Sequence, residues 1–517
     1  MKKYIVIFLF AGLFSACSDW LKIQPETAIP QDKMFETPQG FKDALTGCYM
    51  VMREVSYRPN SVLLAGSASD YMLEIMANSW PVDTLNQTTR EYALYHHNYA
   101  NTQVVSTFSS AFMNLYKIIA NLNLLIEGIE KNGHILDKTT YNIVKGEALA
   151  LRAYVHFDLI RLWGPMPTKI NTTKKYLPYV TTLTPATFPY HTYDEYMEKL
   201  MTDLNTAEEC LAESDPIRDY SNAELNNSGV SELARQSRMN YYAVLGLQAR
   251  VNLWLQEKEE ASRYAKLVIN AKDTGGVPQF RLGDVNDFAT SLGYYDGTLY
   301  MEHLFGVRED RYDATGQGGL ATRETVLRML ENGDVGKLHL SPNAVALFDF
   351  PQDRIVQPRP PQFNQAPLSG IPTADQDIRL GQQMATVPGT SMTPGYGYTR
   401  STRKFNGFYP SSTSPRSVPL IRLAEMYLIV MECGSQTEVD EAFATFMAAR
   451  QSWTAPFTSE TDKMAKIMKE YCKEFLGEGQ VFYHYKRLGV EKMLFGRGTC
   501  GEAQYVLPLP PSEIGIE

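Results

Sequence analysis

Hydrophobic positions are densest between Lys145 and Pro167, where the chain reads KGEALALRAYVHFDLIRLWGPMP. Twelve of the sixteen residues from Ala148 to Trp163 are aliphatic or aromatic, and they cover most of the helical circumference. A helix that is apolar on nearly every side belongs in a core, with other helices around it. Gly164 and Pro165 then end the predicted helix, because proline cannot continue the backbone ladder.

The remaining residues of this helix refine the picture. Gly146, Ala150 and Ala153 lie on one line, which allows a neighbouring backbone to come close. Asp158 and Arg161 are three residues apart, the distance at which side chains pair on a helix. Because buried charges are normally paired, we expect a satisfied ion pair inside the core.

Further helices are predicted on both sides of this central helix. Apolar residues recur at helical spacing in Phe112–Glu130, which we expect to form an antiparallel hairpin with the central helix. Thr192 can cap a helix that runs to Glu213, with Glu195 at the capping-box position. Helical pattern also returns between Leu420 and Arg450.

The stretch Gln236–Ala271 predicts two helices joined by a charged turn at 256–259. Ala249 and Ala261 are spaced like the two small positions at which paired helices touch in a tetratricopeptide repeat. The repeat is blurred, so the sequence indicates a helical hairpin of this type rather than a regular array.

Two stretches lack long periodic runs. Residues 67–97 read as mixed loop, and residues 274–402 are rich in glycine and proline. A long irregular stretch inside a compact protein is usually functional or disordered. Aromatic side chains held on such loops can stack on a sugar ring or a peptide, and packing against the body is the alternative for each. The candidates for ligand contact are Trp80, Tyr294, Tyr295, Tyr396 and Tyr398.

The N-terminus is typical of a targeting segment. Two lysines precede an apolar or small run of eleven residues from Tyr4 to Phe14, too short to span a bilayer, which takes about 20 residues. Small residues directly before Cys17 resemble a bacterial lipobox, in which the cysteine is acylated and becomes the new N-terminus. Ordinary secretion with a structural Cys17 is the alternative.

Charge and motifs exclude several classes of function. The formal net charge of the 517 residues is −9, opposite to that of a nucleic-acid binder. No metal-ligand spacing and no cofactor motif stands out, so we expect neither group. A glycoside hydrolase needs two carboxylates at a defined distance. Glu302 and Asp70 are conceivable candidates, but no motif singles out a pair.

Several of these segments together resemble the SusD/RagB family, the surface nutrient-binding lipoproteins of Bacteroidota. The central-helix stretch GEALALRAYVHFDLIRLWGPMP is similar to that family's central helix. Three later stretches resemble C-terminal motifs of the same family. They are IRLAEMYLI, the spaced acids of EYCKEFLGEGQVFYHYKRLG, and the closing YVLPLPPSEI. Shorter matches are Glu302 with Phe305, and Asp377 with Arg379. Gln480 stands where the family often has arginine. The resemblance therefore does not predict which salt bridges form around this position.

The resemblance implies a mainly α, TPR-like helical-hairpin bundle with a large irregular, loop-rich insertion and minor β structure. It implies a non-catalytic lipoprotein, anchored to the outer membrane and facing the exterior. Its ligand would be an oligosaccharide or a peptide, passed to a SusC-like TonB-dependent transporter. A glycan-degrading enzyme and a TPR-like protein-binding scaffold are the alternatives.

The expected organisation follows from the same segments. We predict a signal peptide at 1–16, an N-terminal helical region at 17–230, a TPR-like hairpin at 231–273, a loop-rich region at 274–402 and a C-terminal region at 403–517.

Overall fold

A computed structural model describes most of the chain between residues 31 and 513. The described residues are 31–55, 57–58, 61–62, 72–79, 87–184, 187–228, 233–288, 297–308, 347, 377–381, 383–388, 398–402, 404, 417–496 and 498–513.

Helices dominate these residues. In chain order they are α1 (Gln31–Met34), α2 (Pro38–Val55), α3 (Met72–Met76), α4 (Arg90–Tyr95), α5 (Thr102–Asn132), α6 (Lys138–Trp163), α7 (Tyr193–Ser214), α8 (Asn222–Asn227), α9 (Tyr241–Trp254), α10 (Lys258–Ile269), α11 (Ile378–Gly381), α12 (Leu423–Cys433), α13 (Gln436–Arg450), α14 (Glu460–Glu474), α15 (Gln480–Leu488) and α16 (Glu502–Tyr505).

The central helix α6 is buried without interruption from Gly146 to Trp163. It begins earlier than the apolar pattern indicates, because Asp137 caps it by accepting a hydrogen bond from the backbone N–H of Thr140 at 2.9 Å. Gly164 ends it, as the sequence predicts. A Cβ atom at Gly146 would come within 2.7 Å of Leu211, so the absence of a side chain at this glycine allows α7 to pack closely on α6.

The helices pack as consecutive hairpins. The long helix α5 lies against α6, α6 against α7, and α9 against α10, while α10 also packs on α12. The charged turn between α9 and α10 falls where the sequence places it, and both Ala249 and Ala261 are fully buried. The prediction of a mainly α, TPR-like bundle with minor β structure is confirmed.

Strands occur as two-stranded antiparallel pairs within the described residues. The pairs are β1 (Tyr57–Arg58) with β2 (Ser61–Val62), β3 (Lys175–Pro178) with β4 (Tyr190–Thr192), β5 (His303–Arg308) with β8 (Ser417–Arg422), and β6 (Met384–Pro388) with β7 (Tyr398–Thr402). In the β5–β8 pair, Arg308 lies opposite Ser417. Residues 308 and 417, which flank a long and largely undescribed stretch, are therefore neighbours in the structure.

Two predictions of local structure are wrong in part. Residues 67–97 were expected to be loop, yet they contain α3 and α4. Both helices are short, with five and six residues, and too brief to display a helical period. The stretch from Leu420 to Arg450 begins with the end of β8 rather than with helix, and α12 and α13 follow.

The C-terminal residues fasten distant parts of the bundle together. The backbone N–H of Leu507 donates to the carbonyl of Leu162, and the indole of Trp163 donates to Pro508 at 3.1 Å. Tyr99 donates to the carbonyl of Gln504. The Leu162 carbonyl and the Trp163 indole at the end of α6 are thus partnered by residues from the end of the chain.

Candidate functional site

A polar cleft lies where α4 and α5 begin. Its volume is about 660 Å³, within the range of about 300–1,000 Å³ that ligand pockets occupy. Hydroxyl groups dominate its lining, which also holds one amide and one ion pair. The lining residues are Thr88, Thr89, Arg90, Glu91, Thr102, Gln103, Ser106 and Thr107. We call this group the polar cleft.

Helix capping fixes both sides of the polar cleft. Thr89 caps α4 by accepting a hydrogen bond from the N–H of Tyr92 at 3.2 Å. Asn101 caps α5 and accepts from the N–H groups of Gln103 and Val104. Because each cap sets the direction in which its helix starts, the lining side chains project from rigid elements.

The side chains of Gln103 and Ser106 are exposed. Neither side chain hydrogen-bonds to another described residue. An amide offers both donors and an acceptor, and a hydroxyl acts in either role. Sugar hydroxyls also act in both roles, so these two side chains suit a carbohydrate.

The charged groups of the polar cleft do not form a hydrolase site. Glu91 is its one carboxylate among the described lining residues, and Arg90 donates to that carboxylate at 2.9 Å. Hydrolysis of a glycosidic bond ordinarily needs a second carboxyl group across the bond. The described lining therefore supports binding rather than cleavage.

A second cleft, of about 460 Å³, lies further along α5. It is apolar, with threonines and one carboxylate at its edges. It is lined by Phe112, Met113, Tyr116, Ala120, Pro178, Val180, Thr182, Leu183, Thr184, Thr187, Phe188, Tyr190 and Glu513. We call this group the apolar cleft. Gln103 and Met113 are ten residues apart, which corresponds to about 15 Å along a helix axis.

The densest group of charges is buried elsewhere, beside the ends of the loop-rich region. It combines five cations with five carboxylates, and every member is at most 7% exposed. The members are Arg379, Lys404, Arg422, Arg450, Lys473, Glu302, Asp377, Glu470, Glu474 and Glu478. We call them the ionic cluster.

Arginines hold the ionic cluster together. Arg422 contacts Glu302 at 3.1 Å, Glu474 at 2.8 Å and Glu478 at 2.9 Å. Arg450 joins Glu302 to Glu474 from the other side, at 2.8 and 2.9 Å. The carboxylates are thus shared between guanidinium groups, which satisfies buried charges that would otherwise be costly.

Burial and partner charges shift the pKa values of these acids in opposite directions. Burial raises the pKa of Glu302, although Arg450 and Arg422 oppose the shift. Burial also opposes ionisation of Glu474, but Arg450 and Arg422 outweigh it and hold its pKa well below its usual range. Glu302 is fully enclosed, so it cannot reach a substrate and is not a catalytic acid. Asp70 lies outside the described residues.

The residues predicted to contact ligand fall almost entirely outside the described part of the chain. Trp80, Tyr294, Tyr295 and Tyr396 lie outside it, as does the lipidation candidate Cys17. The backbone of Tyr398 begins β7, and its side chain is outside the description. These assignments stay predictions. The described residues end at Ser79 and begin again at residue 87, next to Thr88 in the lining of the polar cleft.

Comparison with known proteins finds SusD-like relatives. A SusD-like family model, described as starch-binding and associating with the outer membrane, matches residues 19–253. SusD-like protein P38 of Formosa agariphila is 25% identical, over 93% of this chain and 90% of that protein. Over these residues the chain is similar to SusD-like proteins.

Solved structures agree with the SusD-like fold. A SusD superfamily protein from Bacteroides thetaiotaomicron aligns with a TM-score of 0.66 at 21% identity, over 92% of this chain and 97% of that one. A SusD-like carbohydrate binding protein from Bacteroides vulgatus aligns with a TM-score of 0.62 at 17% identity, over 92% and 96% of the two chains. In the described part of this SusD-like chain, no helix has the length and hydropathy of a membrane span.

The sequence alone did not identify the residues that line the polar cleft. Threonine, serine and glutamine are ordinary surface residues, and Thr89 and Thr102 come together only through the packing of α4 on α5. The signal that could have found them is the pair of helix caps, Thr89 and Asn101, in a stretch that otherwise reads as loop. Several charged residues of the SusD-like resemblance, among them Glu302, Arg379 and Glu474, meet instead in the ionic cluster.

Proposed function

We propose that this SusD-like protein is a non-catalytic surface lipoprotein that captures an oligosaccharide at the polar cleft. In this proposal Cys17 carries the lipid that holds the protein on the outer membrane, facing the exterior. The captured sugar is handed to a SusC-like TonB-dependent transporter. No bond of the sugar is made or broken.

The polar cleft is the observation that carries the proposal. Its hydroxyl and amide groups match sugar hydroxyls, and its one described carboxylate is already engaged by Arg90. Trp80 precedes the polar cleft closely in the chain and would add a flat apolar face on which a sugar ring can stack. Hydrogen bonds and stacking together give both orientation and affinity.

The fold supports the same scheme. The β5–β8 pair and the ionic cluster attach residues 302–308, within the loop-rich region, and residues 404 and 417–422, just beyond it, to the helical body. Loops anchored in this way can vary in shape while the body stays constant, as in other proteins that bind ligands through loops on a scaffold. The family description, starch-binding and associating with the outer membrane, points in the same direction.

Titration with soluble oligosaccharides tests the capture of a sugar. We expect saturable heat on calorimetric titration with at least one α- or β-glucan oligomer. Ser106→Trp should reduce its affinity at least tenfold, because the indole would project into the cleft and obstruct the sugar. Thr202→Trp, at an exposed site on α7, is the matched control and should bind normally.

Chromatography of the same mixtures decides between binding and turnover. The oligosaccharide should be recovered intact after prolonged incubation. Release of shorter sugars by wild-type protein, but not by Ser106→Trp, would replace the proposal with a glycan-degrading enzyme.

The lipid anchor is tested by Cys17→Ser in the full chain. Without a thiol to acylate, the protein should move from the membrane fraction to the soluble fraction, and metabolic labelling with a fatty acid should disappear. Retention of the variant in membranes would show that another feature holds the protein there.

A further inference from the structure

The apolar cleft presents a second, chemically different surface on α5. Aromatic and aliphatic side chains of α5 form one wall, and the segment that follows β3 forms the other. Phe112 lies at its floor and packs edge-on against Trp163, with ring centroids 5.1 Å apart. The cleft therefore sits directly above the end of the central helix.

Hydrogen bonds hold the two walls at a fixed separation. The Tyr116 hydroxyl donates to the carbonyl of Pro178 at 3.1 Å. The Asn123 amide donates to the carbonyl of Val180 at 3.1 Å, and the Leu183 N–H donates to Glu127 at 2.9 Å. Because three separate hydrogen bonds tie the segment that follows β3 to α5, the cleft is preformed. Binding therefore requires no free energy to open it.

Large apolar side chains are exposed at the mouth of the apolar cleft. Met113 is 60% exposed and Leu183 is 41% exposed, and both belong to the lining. A small ligand inside the cavity would leave these outer surfaces in water. A longer segment that crosses the mouth would cover them, and exposed apolar surface of this kind marks interaction sites.

A carboxylate lies at one end of the apolar cleft. Glu513 accepts a hydrogen bond from the Tyr190 hydroxyl at 3.0 Å, and both residues line the cavity. Among the residues that the structure describes, none supplies an ion-pair partner for Glu513. A cation from outside the chain would complement this charge beside an otherwise apolar surface.

We infer that the apolar cleft docks an extended segment of a partner protein, in which an aromatic or aliphatic residue lies next to a lysine or arginine. The apolar side chain fills the space above Phe112, and the flanking chain covers Met113 and Leu183. The basic side chain pairs with Glu513. Ligand and partner would then engage the same side of α5 at separate places.

Three synthetic octapeptides test this inference against the Cys17→Ser protein, which lacks the proposed lipid anchor. One carries a central Phe-Lys-Leu, the second Phe-Gln-Leu and the third Ser-Lys-Ser, all with glycine and serine flanks. We expect the first to bind most tightly by fluorescence anisotropy. Loss of the lysine should weaken binding about twofold to fivefold, as for a partly exposed ion pair. Loss of the apolar residues should remove detectable binding.

Matched variants locate the peptide. Leu183→Asp places a charge at the mouth and should weaken binding about tenfold or more. Leu267→Asp is its control, because Leu267 on α10 is 43% exposed and far from the cleft. Glu513→Gln should make the lysine and glutamine peptides bind equally well, whereas Glu441→Gln, on the surface of α13, should preserve the preference.

Several results would overturn the inference. They are absence of peptide binding at about 1 mM, equal loss in Leu183→Asp and Leu267→Asp, or phenylethylamine binding as tightly as the octapeptide. The last result would mean that the cleft holds a small amine instead. Sugar binding is measured separately at the polar cleft with Ser106→Trp, so failure here leaves the proposed function standing, and the converse also holds.

Discussion

The ionic cluster and the polar cleft are both built from polar side chains, but they differ in whether those side chains already have partners. In the ionic cluster, Arg422 and Arg450 share Glu302 and Glu474, and all four are sealed from solvent. In the polar cleft, Gln103 is exposed and engages no other described side chain.

This difference separates a structural role from a binding role. Satisfied buried charges have nothing left to offer a ligand, and their removal leaves unpaired charges behind. Unpaired exposed groups contribute little to folding, because water already satisfies them. Polar side chains can therefore serve either structure or binding. The two roles are distinguished by how exposed the side chains are and by whether they already have partners.

The largest expected effect is that of removing a central arginine from the ionic cluster. Arg422→Met should lower the free energy of unfolding by about 3–5 kcal/mol, because three carboxylates lose a buried partner. Denaturant unfolding followed by circular dichroism measures this loss. Any fraction that stays folded should still bind sugar with normal affinity.

Arg263→Met is the matched control for this arginine. Arg263 pairs with Glu260 on the surface of α10, with both side chains nearly half exposed. Its loss should change the free energy of unfolding by less than about 1 kcal/mol. If Arg422→Met proved equally mild and abolished sugar binding, the ionic cluster would belong to the ligand site and the comparison would fail.

Mild acid should lower the free energy of unfolding before it changes the affinity of the polar cleft for sugar. Burial lowers the pKa of His303 to about 3, and burial holds the pKa values of His156 and His484 well below their usual range. These histidines are neutral when folded, so unfolding takes up protons below about pH 6.5 and stability falls as pH falls. At about pH 5.5 the loss should be roughly 1 kcal/mol for each of the three.

Below about pH 4.5, Glu470 and Glu474 of the ionic cluster add to this loss. The pKa values of Glu470 and Glu474 are lowered in the folded protein, because arginines and lysine outweigh the effect of burial. The unfolded chain therefore binds these protons first as pH falls, which favours unfolding.

Gln103 and Ser106 do not titrate, so sugar affinity of the folded protein should be unchanged from pH 7 to 5.5. A parallel loss of affinity would contradict this separation.

The smallest expected effect on stability is that of Trp80→Ala. If Trp80 serves the cleft rather than the core, the melting temperature should stay nearly constant while sugar affinity falls, since a stacking face is lost. Differential scanning fluorimetry and calorimetric titration on the same sample measure both. A large drop in melting temperature would place Trp80 among the packing residues.

Much of the fold follows from hydrophobic pattern. The uninterrupted apolar run identifies α6 as the central helix, Asp158 and Arg161 form the expected buried ion pair, and Thr192 with Glu195 forms the expected capping box. These features depend on residues close together in the chain, so the sequence displays them directly.

Features that depend on distant residues were not predictable in the same way. The resemblance singled out Asp377 with Arg379, but only the fold brings Arg379 to Glu470 at 2.8 Å. Gln480, where the family often has arginine, receives a hydrogen bond from Arg161 at 3.4 Å, and the ionic cluster is complete without an arginine at that position. Neither cleft could be predicted, because each is a space between elements rather than a property of one.

The last residues of the chain have a consequence for the timing of folding. Leu507 and Pro508 supply the partners of Leu162 and Trp163, which lie hundreds of positions earlier. Until residues 507 and 508 have been synthesised, the Trp163 indole lacks its hydrogen-bond acceptor and the Leu162 carbonyl lacks one of its donors. The buried end of α6 therefore gains its full set of hydrogen bonds only when the polypeptide is nearly complete.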